Sequence, residues 1–428
     1  MTHPDLCIRE AMILDVEAGT ERRADILIQN GVITEIGERV DAEGVPEYDA
    51  RGKRVSPGWM DMHVHLREPG QEHKETVHTG CRAAAFGGFT AVACMPNTEP
   101  PIHTRDVVEF IVERAKKEAV DVYPIGCVSK KRAGEELAEM ADMKAGGAVA
   151  FSDDGSPVGD AGLMRHALEY ASMLDVPIIN HMEDLDLNPH GHMNEGEIST
   201  RLGVKGIPGL AEEVMIARDA LIAEYTRGPV HVAHISTARA VGIVRDAKQR
   251  GVPITAEVCA HHFTLTDQAV EDSDYHTHTK MHPPLRTAAD VEAMKAGLAD
   301  GTIDAICTDH APHAPNEKDV EFEAAPFGIL GLETAWGLIG RELIRPGVLT
   351  LARAVEAITI APRRIMRIPV PRVAVGEKAN LTVFDETTEW TFEARHIRSK
   401  SRNTPFVGAP MVGRAWAIYN KGRLVEEE

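Results

Sequence analysis

Between residues 57 and 309 short apolar runs alternate with longer amphipathic ones, and this alternation constrains the fold more than any other feature. The apolar runs fall at Met62–Leu66, Thr90–Met95, Val120–Val128, Ala148–Ser152, Pro177–Asn180, Val230–His234, Ile254–Ala260 and Asp304–Thr308. Helical patterns fill the gaps at Val77–Phe86, Arg105–Glu118, Glu135–Lys144, Ala161–Leu174, Leu210–Tyr225, Arg239–Arg250 and Ala289–Leu298. Strands separated by helices pair in parallel, because the crossover returns each strand to the same end of the sheet. Eight such strands over about 250 residues fit a closed (β/α)8 barrel of TIM type better than an open doubly wound sheet. The ends of the chain have a different texture. Leu6–Leu14, Ala24–Ile28 and Val32–Ile36 read as strands, the last two joined by Asn30-Gly31, a strong hairpin signal. Asn380–Phe384, Ala415–Tyr419 and Arg423–Val425 repeat the pattern. The expected architecture is α/β: a barrel over 56–370 beside a small β-sandwich domain built from 1–55 and 371–428.

Two connections are long, Glu183 to Gly209 and Thr264 to Ala288. Loops of this length inside a compact domain often serve as lids or substrate contacts. The second carries Asp272, Asp274, Tyr275, His276 and His278, and is read either as ordering over a ligand or as merely solvated.

Composition narrows the function classes. Of 428 residues, 43% are hydrophobic and 26% charged, which excludes disordered, collagenous and coiled-coil chains. No apolar run reaches the ~18–20 residues of a membrane span. Met1 to Asp15 mixes charges into its apolar residues, unlike a signal peptide. A soluble, cytoplasmic protein without membrane contact is expected. The formal charge of −20 argues against a nucleic-acid-binding surface. The six cysteines are scattered without a C-x-x-C pair, so zinc ribbons and dithiol redox motifs are excluded and buried free thiols expected. Any metal here must be held by histidine and carboxylate.

In a (β/α)8 barrel the chemistry gathers at the C-terminal ends of the strands, and the metal-capable residues of this chain fall there. The first strand ends in His63-Val64-His65, whose imidazoles share a face because strand side chains alternate. The fourth ends in Ser152-Asp153-Asp154-Gly155, the fifth at His181, the sixth at His234 and the eighth at Asp309. Each alone is an ordinary strand-end polar residue; in register with an eight-strand count they form a constellation of imidazole and carboxylate that suits zinc.

The stretch Pro57-Gly58-Trp59-Met60-Asp61-Met62-His63-Val64-His65-Leu66-Arg67-Glu68-Pro69-Gly70 resembles the first signature of the dihydroorotases in the amidohydrolase superfamily. Ala305-Ile306-Cys307-Thr308-Asp309-His310-Ala311-Pro312-His313-Ala314 resembles the second. Met95-Pro96-Asn97-Thr98, Pro283-Pro284-Leu285-Arg286 and Ala325-Pro326-Phe327-Gly328-Ile329-Leu330-Gly331-Leu332-Glu333-Thr334 extend the likeness from end to end, and it is strongest to the long bacterial type. Allantoinases and hydantoinases are more distant relatives.

This resemblance implies two zinc ions per subunit. His63 and His65 would hold one and His181 and His234 the other, with Asp154 and a hydroxide bridging them and Asp309 binding the first ion and shuttling protons. Many relatives bridge with a carboxylated lysine. Here Asp153-Asp154 stands in that place, as in the long bacterial type, and Asp154 is preferred by its spacing to His181. Asp153 should then face the other way. The activity implied is the reversible cyclisation of N-carbamoyl-L-aspartate to L-dihydroorotate and water, a step of de novo pyrimidine (UMP) biosynthesis. Two ions about 3.5–4 Å apart would hold hydroxide between them and polarise the amide carbonyl.

Both substrates are anionic, and Arg67, two residues past His65, offers a bidentate guanidinium. The resemblance adds Asn97, His313 and the Phe327-Gly328 backbone as substrate contacts, with His65 beside them. Where the family usually has asparagine, this chain has His282, read either as a substrate contact or as a neutral loop residue. His261 and His262 read as supporting or packing groups, His190 and His192 as loop residues, and His166 as a helix residue. A homodimer, and docking to aspartate carbamoyltransferase, are expectations about partners that the residues leave open. The alternatives are another cyclic amidohydrolase, an allantoinase or hydantoinase, and a non-catalytic scaffold barrel. The scaffold is disfavoured because all six ligand positions are filled.

Overall fold

The computed structural model describes residues 5–426 apart from Pro189. Eight parallel strands make the barrel: Trp59–Val64, Phe89–Cys94, Asp121–Gly126, Ala150–Phe151, Ile178–Asn180, Val230–Val232, Ile254–Cys259 and Ala305–Cys307. Neighbours pair in sequence order. The ring closes where Val64 bridges His310 in parallel and His65 N–H donates to the His310 carbonyl at 2.9 Å. Helices at Val77–Phe86 and Ala161–Leu174 have the expected bounds, the first set by the Thr76 capping box and the second by the Asp160 side-chain cap.

Other bounds shift for physical reasons. The first strand begins at Trp59 and ends at Val64, and it slips register against the second between Asp61 and Val64. His65 therefore lies beyond the ladder. The third helix is shorter than its pattern, Met140–Gly146, because residues 130–139 form a 3-10 turn and a loop. The long connections are structured: the first holds a two-strand ladder, Met193–Asn194 with Gly206–Ile207, and a helix at Glu197–Leu202, and the second a helix at Gln268–Asp272. Three helices after the last strand, Ala335–Ile339, Leu351–Ala357 and Ile360–Ile365, escape the periodicity reading. Each is short, and the first is buried on every side, so no amphipathic contrast marks it.

Small apolar side chains, among them Met60, Met62, Ala91, Ala93, Ala150 and Ile179, fill the barrel interior. Ala361 and Ile365 pack against that cluster, so the helix carrying them covers one end, and the chemistry is left to the other. A larger apolar shell lies between strands and helices. All six cysteines are buried and free.

The terminal segments form one mixed eight-stranded sheet. The hairpin turn at Asn30-Gly31 has both residues in the left-handed region, φ 51° and 75°, as a two-residue turn between twisted strands requires. The sheet curls so that Ile33 near one edge shares a core with Tyr419 near the other, and Val32 bridges Lys378. Residues 392–409 leave the sheet and return to the barrel, where Asn403 Nδ2 donates to the carbonyls of Ala311 and Gly328 at 3.0 and 3.1 Å. No described helix is long and apolar enough to cross a membrane.

Trp59 ties sheet and barrel together. It is fully buried, with ring centroids of Trp336 and Phe384 at 4.6 and 5.1 Å, and its indole N–H donates to Ser56 Oγ at 3.0 Å. Trp59→Ala is expected to lower stability by about 3–5 kcal/mol, read from the urea midpoint; a change below ~1 kcal/mol would contradict this role.

Candidate metal centre

The strand ends deliver seven ligand atoms to one buried space. His63 Nε2 lies 3.5 Å from both Asp154 Oδ2 and Asp309 Oδ1. His65 Nε2 lies 2.9 Å from Asp309 Oδ1 and 3.6 Å from Asp154 Oδ2. On the other side, His181 Nδ1 and His234 Nε2 are 2.9 Å apart and stand 3.6 and 3.5 Å from Asp154 Oδ1. Asp154 thus turns one oxygen to each histidine pair. Asp153 faces away, accepting from the N–H groups of Val128 and Ser129 at 3.0 and 3.1 Å and from the Ser129 hydroxyl.

Charge at this centre is tightly coupled. Burial opposes ionisation of Asp154, yet His63, His181 and His234 hold its carboxyl well below the ordinary range. Asp309 is likewise buried and likewise held low, by His63 and His65. Burial disfavours the cationic form of His63, but Asp154, Asp309 and Glu257 together raise it well above its usual value.

The donor set fits divalent metal. His63 Nε2 and Asp154 Oδ1 are buried and have no hydrogen-bond partner among the described residues. A buried polar atom left unmet costs about 1–3 kcal/mol, and a cation between the imidazoles and carboxylates relieves both. The ring orientations agree. Glu257 Oε1 can only accept, so at 2.7 Å it accepts from His63 Nδ1–H and leaves Nε2 as the inward-facing atom, a ligand once a metal displaces its proton. Asn97 Oδ1 does the same for His65 Nδ1 at 2.7 Å.

Backbone strain gathers here. Arg67, His234 and Asp309 have φ of 60°, 31° and 46°, the left-handed region that non-glycine residues seldom occupy. Such strain concentrates at functional sites, where surrounding structure holds it.

Beside the clusters, Arg67 is buried with its Nε donating to Pro312 O at 3.1 Å and an Nη 3.4 Å from His313 Nε2. Among the described residues no carboxylate pairs with it, and burial pushes its guanidinium down to about 10. A buried, unpaired cation is a site for an anion. His313 Nε2 donates to Phe327 O at 2.8 Å, and the His313 ring, buried near Arg67 and Lys318, is held far below its usual pKa and is neutral. Gly328 has φ 124°, and a Cβ there would meet Ala311 Cβ at 2.6 Å. His282 stacks on Phe327 with centroids 4.8 Å apart, its Nε2 3.1 Å from Glu183 Oε1 and its ring 4.8 Å from that of His181.

The remaining histidines divide as follows. His262 Nε2 bonds to Pro283 O at 3.0 Å and His261 is buried beside it. His192 lies at Lys280, His276 and His278 meet edge to face, and His166 is exposed near Glu169. Glu257 and Glu183 were missed from sequence. Glu257 reads there as one polar residue of an inner strand, and only its 2.7 Å contact with His63 Nδ1 across the closed barrel reveals its task.

Comparison with known proteins decides the family. Residues 52–240 match the dihydro-orotase-like family. The chain is 53% identical to the dihydroorotase of Pelotomaculum thermopropionicum over 423 residues, 99% of each chain. It is 51% identical to that of Citrifermentans bemidjiense, covering 98% of this chain and 99% of the relative. The chain belongs to the dihydroorotase family. With that family it is a metal-dependent cyclic amidohydrolase. Solved structures agree on the fold. The L-hydantoinase (dihydropyrimidinase) of Arthrobacter aurescens superposes with a TM-score of 0.86 at 24% identity, covering 100% of this chain and 96% of that one. A D-hydantoinase (dihydropyrimidinase) of Thermus sp. gives 0.80 at 26%, covering 99% and 97%. The dihydroorotase relatives share about twice the identity of these hydantoinases, so the hydantoinase reading is set aside.

Proposed function

We propose that this protein interconverts N-carbamoyl-L-aspartate and L-dihydroorotate with release or uptake of water, in pyrimidine biosynthesis. The observation that carries this reading is the placement of an unpaired buried cation, Arg67, beside a twin imidazole–carboxylate centre, in a chain about half identical to dihydroorotases over its full length.

The proposed ligands are His63, His65 and Asp309 for one zinc ion and His181 and His234 for a second, with Asp154 shared. Ions bound there would supply Lewis acidity toward the amide carbonyl and an acidified water. The chain's own groups do the rest. Arg67 binds the substrate carboxylate, with Asn97 and His313 beside it, and the Phe327–Gly328 backbone meets the ring. His282, stacked on Phe327, completes that wall. In the hydrolytic direction Asp309 takes a proton from the attacking water and hands it to the ring nitrogen as the C–N bond breaks. In the synthetic direction it carries the proton back, the ureido nitrogen attacks the side-chain carboxyl, and water leaves. Burial and the left-handed backbone at Asp309 hold its carboxylate in reach of both steps.

Purified enzyme offered dihydroorotate, allantoin and hydantoin should turn over the first by far the fastest; no turnover of dihydroorotate would sink the proposal. Metal analysis of protein purified without chelator should find about two zinc ions per subunit. Arg67→Met should raise KM for dihydroorotate about 10–100-fold, since a charge-assisted bidentate pair is lost, with kcat changed far less. An unchanged KM would remove Arg67 from the carboxylate site.

A further inference from the structure

The wall formed by residues 275–286 and 315–328 holds two buried lysines that the chemistry above does not use. Lys280 is 1% exposed and Lys318 5%. Lys318 Nζ donates to the carbonyls of Pro326, Thr277 and Lys280 at 2.6, 3.2 and 3.4 Å. Lys280 Nζ donates to the carbonyls of Phe322 and Glu323, both at 2.8 Å, lies 3.3 Å from His192 Nδ1 and stands 4.7 Å from the Phe327 ring centroid. Among the described residues neither ammonium pairs with a carboxylate.

Both lysines reach one short stretch of backbone, Lys318 through its bond to Pro326 O and Lys280 through its main-chain carbonyl and the Phe327 ring. Pro326 O is capped by Lys318 and Phe327 O by His313, while Gly328 N–H donates to Lys280 O at 2.9 Å and Gly328 O accepts from Asn403.

Such an arrangement is expensive for the fold. An ammonium buried without a counter-ion is costly, and here only carbonyl oxygens offset the lost hydration. Burial pushes Lys280 down to about 8 and Lys318 to about 7, and Lys318 is further lowered by Lys280 and Arg67. Three basic side chains therefore share one wall, and an anion bound there favours their charged forms.

We propose that Lys280 and Lys318 are positioning residues that set the Phe327–Gly328 backbone and charge the Arg67 wall, so that the site favours a dicarboxylate over a monocarboxylate ligand. N-carbamoyl-L-aspartate has two carboxylates and dihydroorotate one. The inference rests on the dihydroorotase reading and adds to it the origin of the site's positive potential in a chain of charge −20.

The test compares the zinc-loaded wild-type enzyme with Lys318→Met and Lys280→Met, in both reaction directions, alongside urea midpoints and zinc content. Each variant should raise KM for N-carbamoyl-L-aspartate about tenfold and that for dihydroorotate about threefold. The kcat values should stay within about twofold and bound zinc should be unchanged, while the urea midpoint falls modestly because carbonyls that the ammoniums cap are left unmet. Unchanged KM values in both variants overturn the proposal. A fall of kcat by about tenfold or more together with the KM change also overturns it, because that marks a merely structural role. Equal KM rises for the two substrates overturn the charge assignment. A wild-type enzyme that binds dihydroorotate without turning it over fails the functional reading alone, and calorimetric affinities for N-carbamoyl-L-aspartate in the same variants then decide the lysines.

Discussion

Asp309→Asn is expected to lower kcat in both directions by about 10³–10⁴-fold, the upper part of the range for a lost general acid–base. Asparagine keeps the shape of the side chain and an oxygen toward His65 Nε2, now 2.9 Å from Asp309 Oδ1, but it has no proton to exchange near neutral pH. The charge it removes is one of two carboxylates crowded among His63, His65 and His234, so folding should survive. The variant should show a native urea midpoint and retain metal at His181 and His234, which contact Asp154 and not Asp309. Steady-state rates with dihydroorotate and with N-carbamoyl-L-aspartate, alongside zinc analysis, distinguish loss of the shuttle from loss of the site. A variant turning over within tenfold of wild type would refute the role given to Asp309.

Asp154→Ala should be comparably severe by another route. Both carboxylate oxygens lie within 3.6 Å of ring nitrogens on opposite sides, and removing them takes a shared ligand from both clusters at once. Zinc content should fall below one ion per subunit, with activity reduced at least ~10³-fold. The neighbouring position is the control. Asp153 accepts three hydrogen bonds from residues 128–129, so Asp153→Ala should lower stability by about 1–3 kcal/mol while metal content is retained. If the two variants exchanged phenotypes, the assignment of the bridge to Asp154 would be wrong.

These two adjacent aspartates also show how far the chain could be read before folding. Alternation along a strand predicts that the two neighbours face opposite ways, and the family's spacing to His181 favours Asp154. In the structure the strand ends at Phe151, and the aspartates face opposite ways from the turn beyond it. His63 and His65 were legible as a local pattern at a strand end. Yet the structure reaches that arrangement through an irregular first strand, with His65 past the ladder and His234 and Asp309 beyond their strands in left-handed conformations. Strand-end placement is visible in sequence; backbone strain is not, because it is imposed by the surroundings.

Glu257, Lys280 and Lys318 mark the other limit. A glutamate in an inner strand and two lysines in polar loops look like solvated or ordinary residues. Partners that give them meaning include Thr277 for Lys318 and Phe322 for Lys280, 41 and 42 positions away, and His63 for Glu257, much farther along the chain. The distance from His63 to Glu257, 194 positions along the chain, closes to 2.7 Å only when the barrel does.

By itself, then, the amino-acid order determined the eightfold alternation, the pairing of the two termini, and which residue types stand at the strand ends. Those properties follow from side-chain periodicity and turn chemistry, which act over a few residues. Only the tertiary structure decided which ring nitrogen faces inward, that Arg67 lies buried without a carboxylate partner among the described residues, and that two buried lysines brace the wall carrying Phe327 and Gly328. Each of these depends on desolvation and on hydrogen bonds between distant segments, and neither exists until the barrel has closed around them.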